Sequence, residues 1–401
     1  MRKIQNPVRV RSFVPSLVLS SVLLCGAVHG AGLSWPWPMM RGTLSGSTRL
    51  DASGPTLAWR VVAQPAGEGE LAFEISANGS GGHLQAHARI MTGTGNGEWQ
   101  VDACRLDLAP WLALLAAKFP ALSGWQGSGV LTVAGHGMLR GGIIDGTATL
   151  ALADGELRND KKKIFCEGMT LQLVLAGLQS LRAEPGQELT LQTVTAAGAE
   201  LHDLKVSFEL APGGEVRVAE AGAAGFGGKL SAEPFAFTPA QMAAAFIVHG
   251  TDLDLAQVRA FADPQQIRMH EASGRMSGQL MLRLDPDGLR LGCGTLALNG
   301  GELARVLFQP TPGLFTSYLP VNVRGIYTGF EPIELGKLPM LVKKLQVDFY
   351  PEGETAERTV HVQLEGDSTD AKRPAPIVLD INVDGPLQQA IQRYLSMQRG
   401  R

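Results

Sequence analysis

His83 and His87 stand four residues apart, the spacing at which two imidazoles on one turn of helix can hold a metal. Their neighbours argue against that helix. Leu84, Ala86, Ala88 and Ile90 alternate with the residues between them, so the stretch reads as a strand with both histidines on its solvent side. Asp252, Asp254 and Asp263 bracket a short helical patch, where capping accounts for them better than acid–base chemistry. No two carboxylates stand out as a proton-transferring couple. Gly93-Thr-Gly-Asn-Gly97 has enough glycine to cradle a phosphate, but no helix start follows it, and a hairpin turn is the better reading. Asp160-Lys-Lys-Lys163 sits beside a turn as a solvated loop. Nor does the chain carry a G-x-S-x-G elbow, a Walker loop, an H-E-x-x-H pair or a dinucleotide fingerprint. These residues point to no catalytic site, no metal and no cofactor.

Composition narrows the class further. The 401 residues are 45% hydrophobic, 6% aromatic and 18% charged, with 49 Gly and 23 Pro. That balance favours short strands and many turns over long helices, and it excludes wholesale disorder. A formal net charge of -3 leaves no basic surplus for nucleic acid. At the N-terminus, Arg2, Lys3, Arg9 and Arg11 precede an apolar stretch from Phe13 to Leu24 and then small residues. This pattern is an export signal. Cleavage after Gly30 and retention as an inner-membrane anchor both fit it, the second because the apolar run continues to Leu33. Cys25 follows Leu24, which is too large for a lipoprotein cleavage site. Three further cysteines, Cys104, Cys166 and Cys293, allow one disulfide at most and leave a thiol over.

Any site must be positioned by strands. Period-two alternation appears at Leu57-Trp59-Val61, Leu71-Phe73-Ile75, Leu171-Leu173-Leu175, Leu204-Val206-Phe208-Leu210 and Leu280-Leu282-Leu284. It returns at Leu345-Val347-Phe349, Val360-Val362-Leu364 and Leu379-Ile381-Val383. Turn signals at Asn78-Gly79, Asp154-Gly155, Pro212-Gly213-Gly214 and Pro286-Asp287-Gly288 are expected to separate the strands. Helical patches are expected at Leu108–Phe119, Asp254–Ala262, Gly301–Phe308 and Leu387–Gln398. An internal repeat is also visible. Arg105-Leu-Asp-Leu-Ala109 leads into a helix and glycine-started strands, and Asp252-Leu-Asp-Leu-Ala256 does so again about 147 residues later.

So many one-sided strands, with few helices to cover them, leave apolar surface to dispose of. The sheet packs on itself as a sandwich or barrel, or it forms a trough that leaves apolar surface open to a ligand. Scarce, unclustered aromatics argue against a transmembrane barrel.

Three stretches then resemble a known family. They are Gly198 to Phe237, Thr251 through Gly294-Thr-Leu, and the ending Leu345-Gln-Val-Asp-Phe-Tyr, Val360-His-Val-Gln-Leu-Glu-Gly and Val378-Leu-Asp-Ile-Asn-Val-Asp. Over residues 198–398 the chain resembles the YdbH-like family of AsmA-like intermembrane phospholipid transport proteins. The resemblance implies a mainly β fold: an extended, twisted antiparallel sheet forming a taco-like hydrophobic groove, with a few short helices. It further implies phospholipid as ligand, a small outer-membrane lipoprotein as partner, and a cell-envelope, periplasmic location. On this reading residues 1–31 are the signal or anchor, 32–197 the N-terminal part of the groove, and 198–401 its C-terminal part. The expected lining is Leu171, Leu173, Leu175, Leu280, Leu282, Leu284, Val347, Phe349, Leu379, Ile381 and Val383. The rival reading is a structural or outer-membrane assembly protein that acts through protein partners.

Overall fold

A computed structural model describes residues 41–49, 55–118, 122–141, 143–196, 199–239, 243–262, 269–285, 288–313, 315–318, 330–350, 360–368 and 376–383. Among them, 21 strands form one sheet that is not closed, accompanied by three short α-helices. Every strand pairing described below is antiparallel, so the expected mainly β class holds. The N-terminal signal or anchor segment and the C-terminal helical patch Leu387–Gln398 lie outside the described residues.

The chain divides into two compact units. The first runs through Lys161 and adds Cys166–Thr190 and Ser207–Arg217. It opens with β1 (Gly42–Arg49), β2 (Thr56–Gly67), β3 (Glu70–Gly79), β4 (Gly82–Met91) and β5 (Gly97–Asp107), each paired with the next. Their register explains the alternation. Val61 opposes Ile75 and Ala63 opposes Phe73, while Phe73 in turn opposes Ala88. Directly opposed side chains share a face, so these residues with Leu71 form one buried apolar cluster. The glycine-rich stretch makes the turn joining β4 to β5, with Gly97 as the first residue of β5.

Helix α1 (Leu108–Lys118) starts directly after β5. Trp111 is buried and its indole N–H donates to the Gly81 carbonyl at 2.7 Å. Two long strands follow, β6 (Trp125–Arg140) and β7 (Ile143–Asn159). Asp154-Gly155, expected to be a turn between strands, lies instead inside β7. The register shifts there: Ser128 opposes Glu156, but Val130 opposes Ala153. Asp154 takes φ 50, a conformation aspartate tolerates, so the pair makes a bulge rather than a reversal.

Strands β8 (Ile164–Gly177), β9 (Arg182–Ala196), β10 (Ala199–Ala211) and β11 (Glu215–Gly225) contribute to both units. The second unit continues with β12 (Gly228–Ala232), β13 (Phe235–Phe237) and β14 (Ala244–Asp254), then α2 (Leu255–Ala262). Asp254 caps α2 by accepting the Ala256 N–H at 2.8 Å. Next come β15 (Met269–Ser273), β16 (Arg275–Asp285), β17 (Gly288–Leu298) and β18 (Ala304–Phe308). The last elements are α3 (Phe330–Glu334), β19 (Met340–Phe349), β20 (Val360–Ser368) and β21 (Pro376–Val383). β17 and β18 are two segments facing one partner: Leu296 opposes Val347 near the end of β19, and Ala304 opposes Val342 near its start. β15 and β16 are broken in the same way by Gly274, whose φ is 140 and whose missing side chain admits the Ala304 methyl.

Gly301–Phe308, expected as a helix, is therefore a turn leading into strand β18. Its Leu, Ala and Arg are good helix formers, but β15 and β19 offer ladder partners on both sides, and tertiary pairing overrides that preference.

Candidate functional site

In the second unit, the strand registers gather the expected residues onto one face. One row across the sheet reads Val248, Leu280, Gly294, Phe349, Val360, Val383. The next reads Gly278, Leu296, Val347, Val362, Ile381, and a third Leu345, Leu364, Leu379. Leu282 and Leu284 continue the face along β16, opposite Phe246 and Ala244. Leu296, Leu345, Phe349, Val360, Val362 and Leu364 are buried on this face, whereas Leu280, Leu282, Leu284, Val347 and Leu379 are only half-buried. Ile381 and Val383 take their places in the ladder, but their side chains lie outside the described ones.

The alternation alone does not reveal the whole face. Leu291 and Leu296 are five apart, a spacing that would send them to opposite sides of a regular strand. A bulge at Gly292-Cys293 resets the count, so Leu291 opposes Leu282 while Leu296 opposes Gly278. Val360, Val362 and Leu364 also belong to this face; their alternation was visible, but their central place between β19 and β21 was not.

The opposite face carries the charged and polar side chains, interspersed with Ile247, Met281, Leu341 and Val378. Thr295 donates its hydroxyl to Asp348 at 2.8 Å, and His361 meets Asp380 at 2.8 Å. Lys344 pairs with Glu365 at 3.2 Å. The sheet of this unit therefore keeps charge on one side and hydrocarbon on the other.

Toward β15, β18 and the start of β19 the apolar face is sealed. Ala304, Val306, Met340 and Val342 have no exposed surface, and neither does Ile333 of α3, which packs in the same cluster. Phe315, Phe330 and Leu338 pack against it as well. Glu334 is buried here as a carboxylate. It accepts the N–H groups of Phe315 at 3.0 Å and Thr316 at 3.1 Å, and the Thr316 hydroxyl at 2.9 Å. Burial pushes its pKa up, but these donors and the Gly313 N–H outweigh burial and hold it below the ordinary carboxylate value.

The first unit carries Leu171, Leu173 and Leu175 on one side of β8. Leu175 is buried and the other two are half-buried, while Val174 points the other way and is exposed. In the β6–β7 pair, Leu131, Val133 and Leu139 oppose Leu152, Leu150 and Ile144, another all-apolar face. No side chain of β6 is fully buried. Trp99 opposes Gly137, which opposes Gly146, and the indole N–H reaches the Asp145 carbonyl at 3.2 Å. Alternation flags these strands only weakly, because Gly135, Gly137 and Gly146 hold inward positions.

The residues considered for chemistry sit elsewhere. His87 is exposed and pairs with Asp102 at 2.9 Å. Cys104, Cys166 and Cys293 are unpaired thiols. Burial pushes the Cys104 pKa up to about 11 and raises that of Cys166, so both stay protonated at neutral pH and are weak nucleophiles. Among the described residues no group of three or more His, Cys, Asp or Glu is placed to hold a metal, and no helix is long and apolar enough to cross a membrane.

No curated protein and no solved structure matches the chain. One family does, described as "YdbH-like: Intermembrane phospholipid transport protein YdbH", over residues 42–304. The match takes in β1 through β17, overlapping the stretches that carried the resemblance at 198–304 and extending well into the first unit. It spans more than half of the sequence, and the chain belongs to the YdbH-like family.

Proposed function

We propose that the half-buried apolar face holds phospholipid acyl chains and assists their passage between the inner and outer membranes, without a covalent step. The family's role is intermembrane phospholipid transport, which supports a cell-envelope location. The observation that carries the finer reading is the row structure of the second unit. Leu280, Leu282, Leu284 and Val347 line up with Phe349 on one side of a sheet whose charged groups lie on the other, and four of the five remain partly open.

The energetics suit that role. Returning a methylene to water costs about 0.8 kcal/mol, so an unshielded acyl chain of about fifteen carbons costs on the order of 10 kcal/mol. A face of half-buried leucine and valine side chains offsets most of that cost while the headgroup stays hydrated. Leu171, Leu173 and Leu175 are assigned the same role in the first unit. The N-terminal apolar segment, if uncleaved, would hold the chain to the inner membrane, and a small outer-membrane lipoprotein would pair with the sheet.

Mass spectrometry of organic extracts from the exported protein, purified without detergent, tests this. We expect phospholipid in near-stoichiometric amount, and its loss in a folded Leu282→Asp variant. A lipid-free wild-type protein would favour a structural or assembly role through protein partners.

A further inference from the structure

β18 and β19 are antiparallel neighbours, and a connection of about two to five residues would join them. The chain uses residues 309–339 instead. Among the described parts of this connection are the turn at Thr316–Tyr318 and helix α3. Together they form a strap whose Phe315, Phe330, Ile333 and Leu338 pack on the apolar cluster of Ala304, Val306, Phe308, Met340 and Val342. Phe315 meets Phe308 edge-on at 5.2 Å.

That cluster is continuous with Leu345, Val360 and Leu364, and with the half-buried Leu280, Leu291, Val347 and Leu379. The strap thus occupies one end of the face assigned above to acyl chains. Its internal bracing is of a different kind. Glu334, 3% exposed, ties α3 to the strap's other limb through Phe315 and Thr316, and its own carbonyl accepts the Thr311 N–H at 2.6 Å. A buried carboxylate is a costly way to fill a core, and this one fixes the two limbs of the strap through its hydrogen bonds. The strap is braced by charge within itself and meets the sheet through hydrocarbon, which another hydrocarbon can replace.

We propose that the strap is a displaceable roof: clasped by Glu334, it covers the β15–β18–β19 end of the apolar face, and once that clasp is released it gives way to a lipid tail. This rests on the lipid-holding reading of the same face. Release of the roof would lengthen the contact from Leu280, Leu282 and Leu284 toward Phe308 and Met340.

The test incubates the full chain with vesicles of phosphatidylethanolamine and phosphatidylglycerol containing a phospholipid with a photoreactive acyl terminus. Labelled peptides are mapped while hydrogen exchange is followed. In the wild type, labelling is expected around Leu280–Leu284 and Val347. In Glu334→Ala, the Phe315 and Thr316 amides should exchange about tenfold faster or more, with new labelling at Phe308, Met340 and Val342. Faster exchange without new labelling, or unchanged exchange, overturns the roof alone. No labelling in either protein overturns the lipid-holding reading and the roof with it. Should Glu334→Ala fail to fold, Thr316→Val removes one donor from the clasp and carries the same expectations at smaller size.

Discussion

The two units repeat one module and finish it differently. In the first, the β3–β4 hairpin closes on opposed Gly79 and Gly82, β5 ends at Asp107, and α1 follows at once. In the second, the β11–β12 hairpin closes on opposed Gly225 and Gly228, β14 ends at Asp254, and α2 follows at once. Both terminal aspartates donate their backbone N–H to the hairpin turn: Asp107 to Gly81 at 3.1 Å, Asp254 to Phe226 at 2.7 Å. The repeat seen in the sequence is therefore a repeat of local structure. After the helix, the first unit runs out as the β6–β7 ribbon, in which no β6 side chain is fully buried. The second breaks its strands at Gly274, adds β15 and β18, and roofs them with the strap until Val306 and Met340 lose all exposure. The same apolar alternation yields a half-open face in one place and a sealed core in another. What decides is the insertion between β18 and β19, not the strands.

The sharpest way to break that comparison is to make matching cavities. Met340→Ala in the sealed end is expected to cost about 2–5 kcal/mol, since neighbours that fully enclose a side chain relax little around a void. Leu139→Ala in β6 removes a side chain already partly in water and should cost no more than about 1 kcal/mol. Denaturant titration read by region-resolved hydrogen exchange separates the two. Tryptophan fluorescence helps, because the described tryptophans, Trp59, Trp99, Trp111 and Trp125, all lie in the first unit. Equal losses at both sites would mean the half-open face is as tightly packed as the core, and the distinction between the modules would fall.

The contrast also marks what a sequence can tell. Alternation located the strands because a half-buried strand needs one apolar side, and Leu71-Phe73-Ile75 or Val360-Val362-Leu364 meet that need without help from elsewhere. Helices α1 and α2 were legible through Pro110 near the start of one and the capping Asp254 of the other. Bulges were not: Gly292-Cys293 and Asp154-Gly155 look like a broken period and a turn, and only the partner strand's register says otherwise. β18 reads as helix in the sequence because its residues permit one. Whether Leu280 or Val306 is open to solvent depends on chain far away in sequence, so the boundary between lining and core could not be read from either strand. Glu334 carried no signal at all, since a lone glutamate between Ile and Leu looks like a surface residue until its donors are placed.

Acid provides a gentler separation of the units. The buried polar side chains of the first, Asn159 and Gln187, do not titrate, whereas Glu334 in the second does. Its folded pKa lies below the ordinary carboxylate value, so the stabilisation it gives is fully present above that value and lost as pH falls through the folded one. Hydrogen exchange at Phe315 and Thr316, taken relative to the intrinsic rate at each pH, should stay flat from neutral pH down to the ordinary carboxylate range and then rise. Glu334→Gln should remove that rise, leaving the β2–β5 amides unchanged in both proteins. A rise of equal size in the glutamine variant would assign the acid sensitivity to another group.

The smallest effect is expected on the polar side of the second unit's sheet, and its smallness is informative. Lys344 and Glu365 oppose each other across β19 and β20 with both side chains about half exposed, and their 3.2 Å ion pair sits in water of high dielectric. Lys344→Ala should cost less than about 0.5 kcal/mol, and the difference from wild type should shrink further as salt screens the pair. The residue behind it on the chain, Leu345, faces the apolar side and is buried. Two adjacent positions on one strand thus face different solvents, water on one side and hydrocarbon on the other, and Leu345→Ala should cost several times more than Lys344→Ala. Comparable costs at 344 and 345 would mean that ion pairs, rather than the apolar rows, hold these strands together, and the case for one face specialised toward hydrocarbon would lose its physical basis.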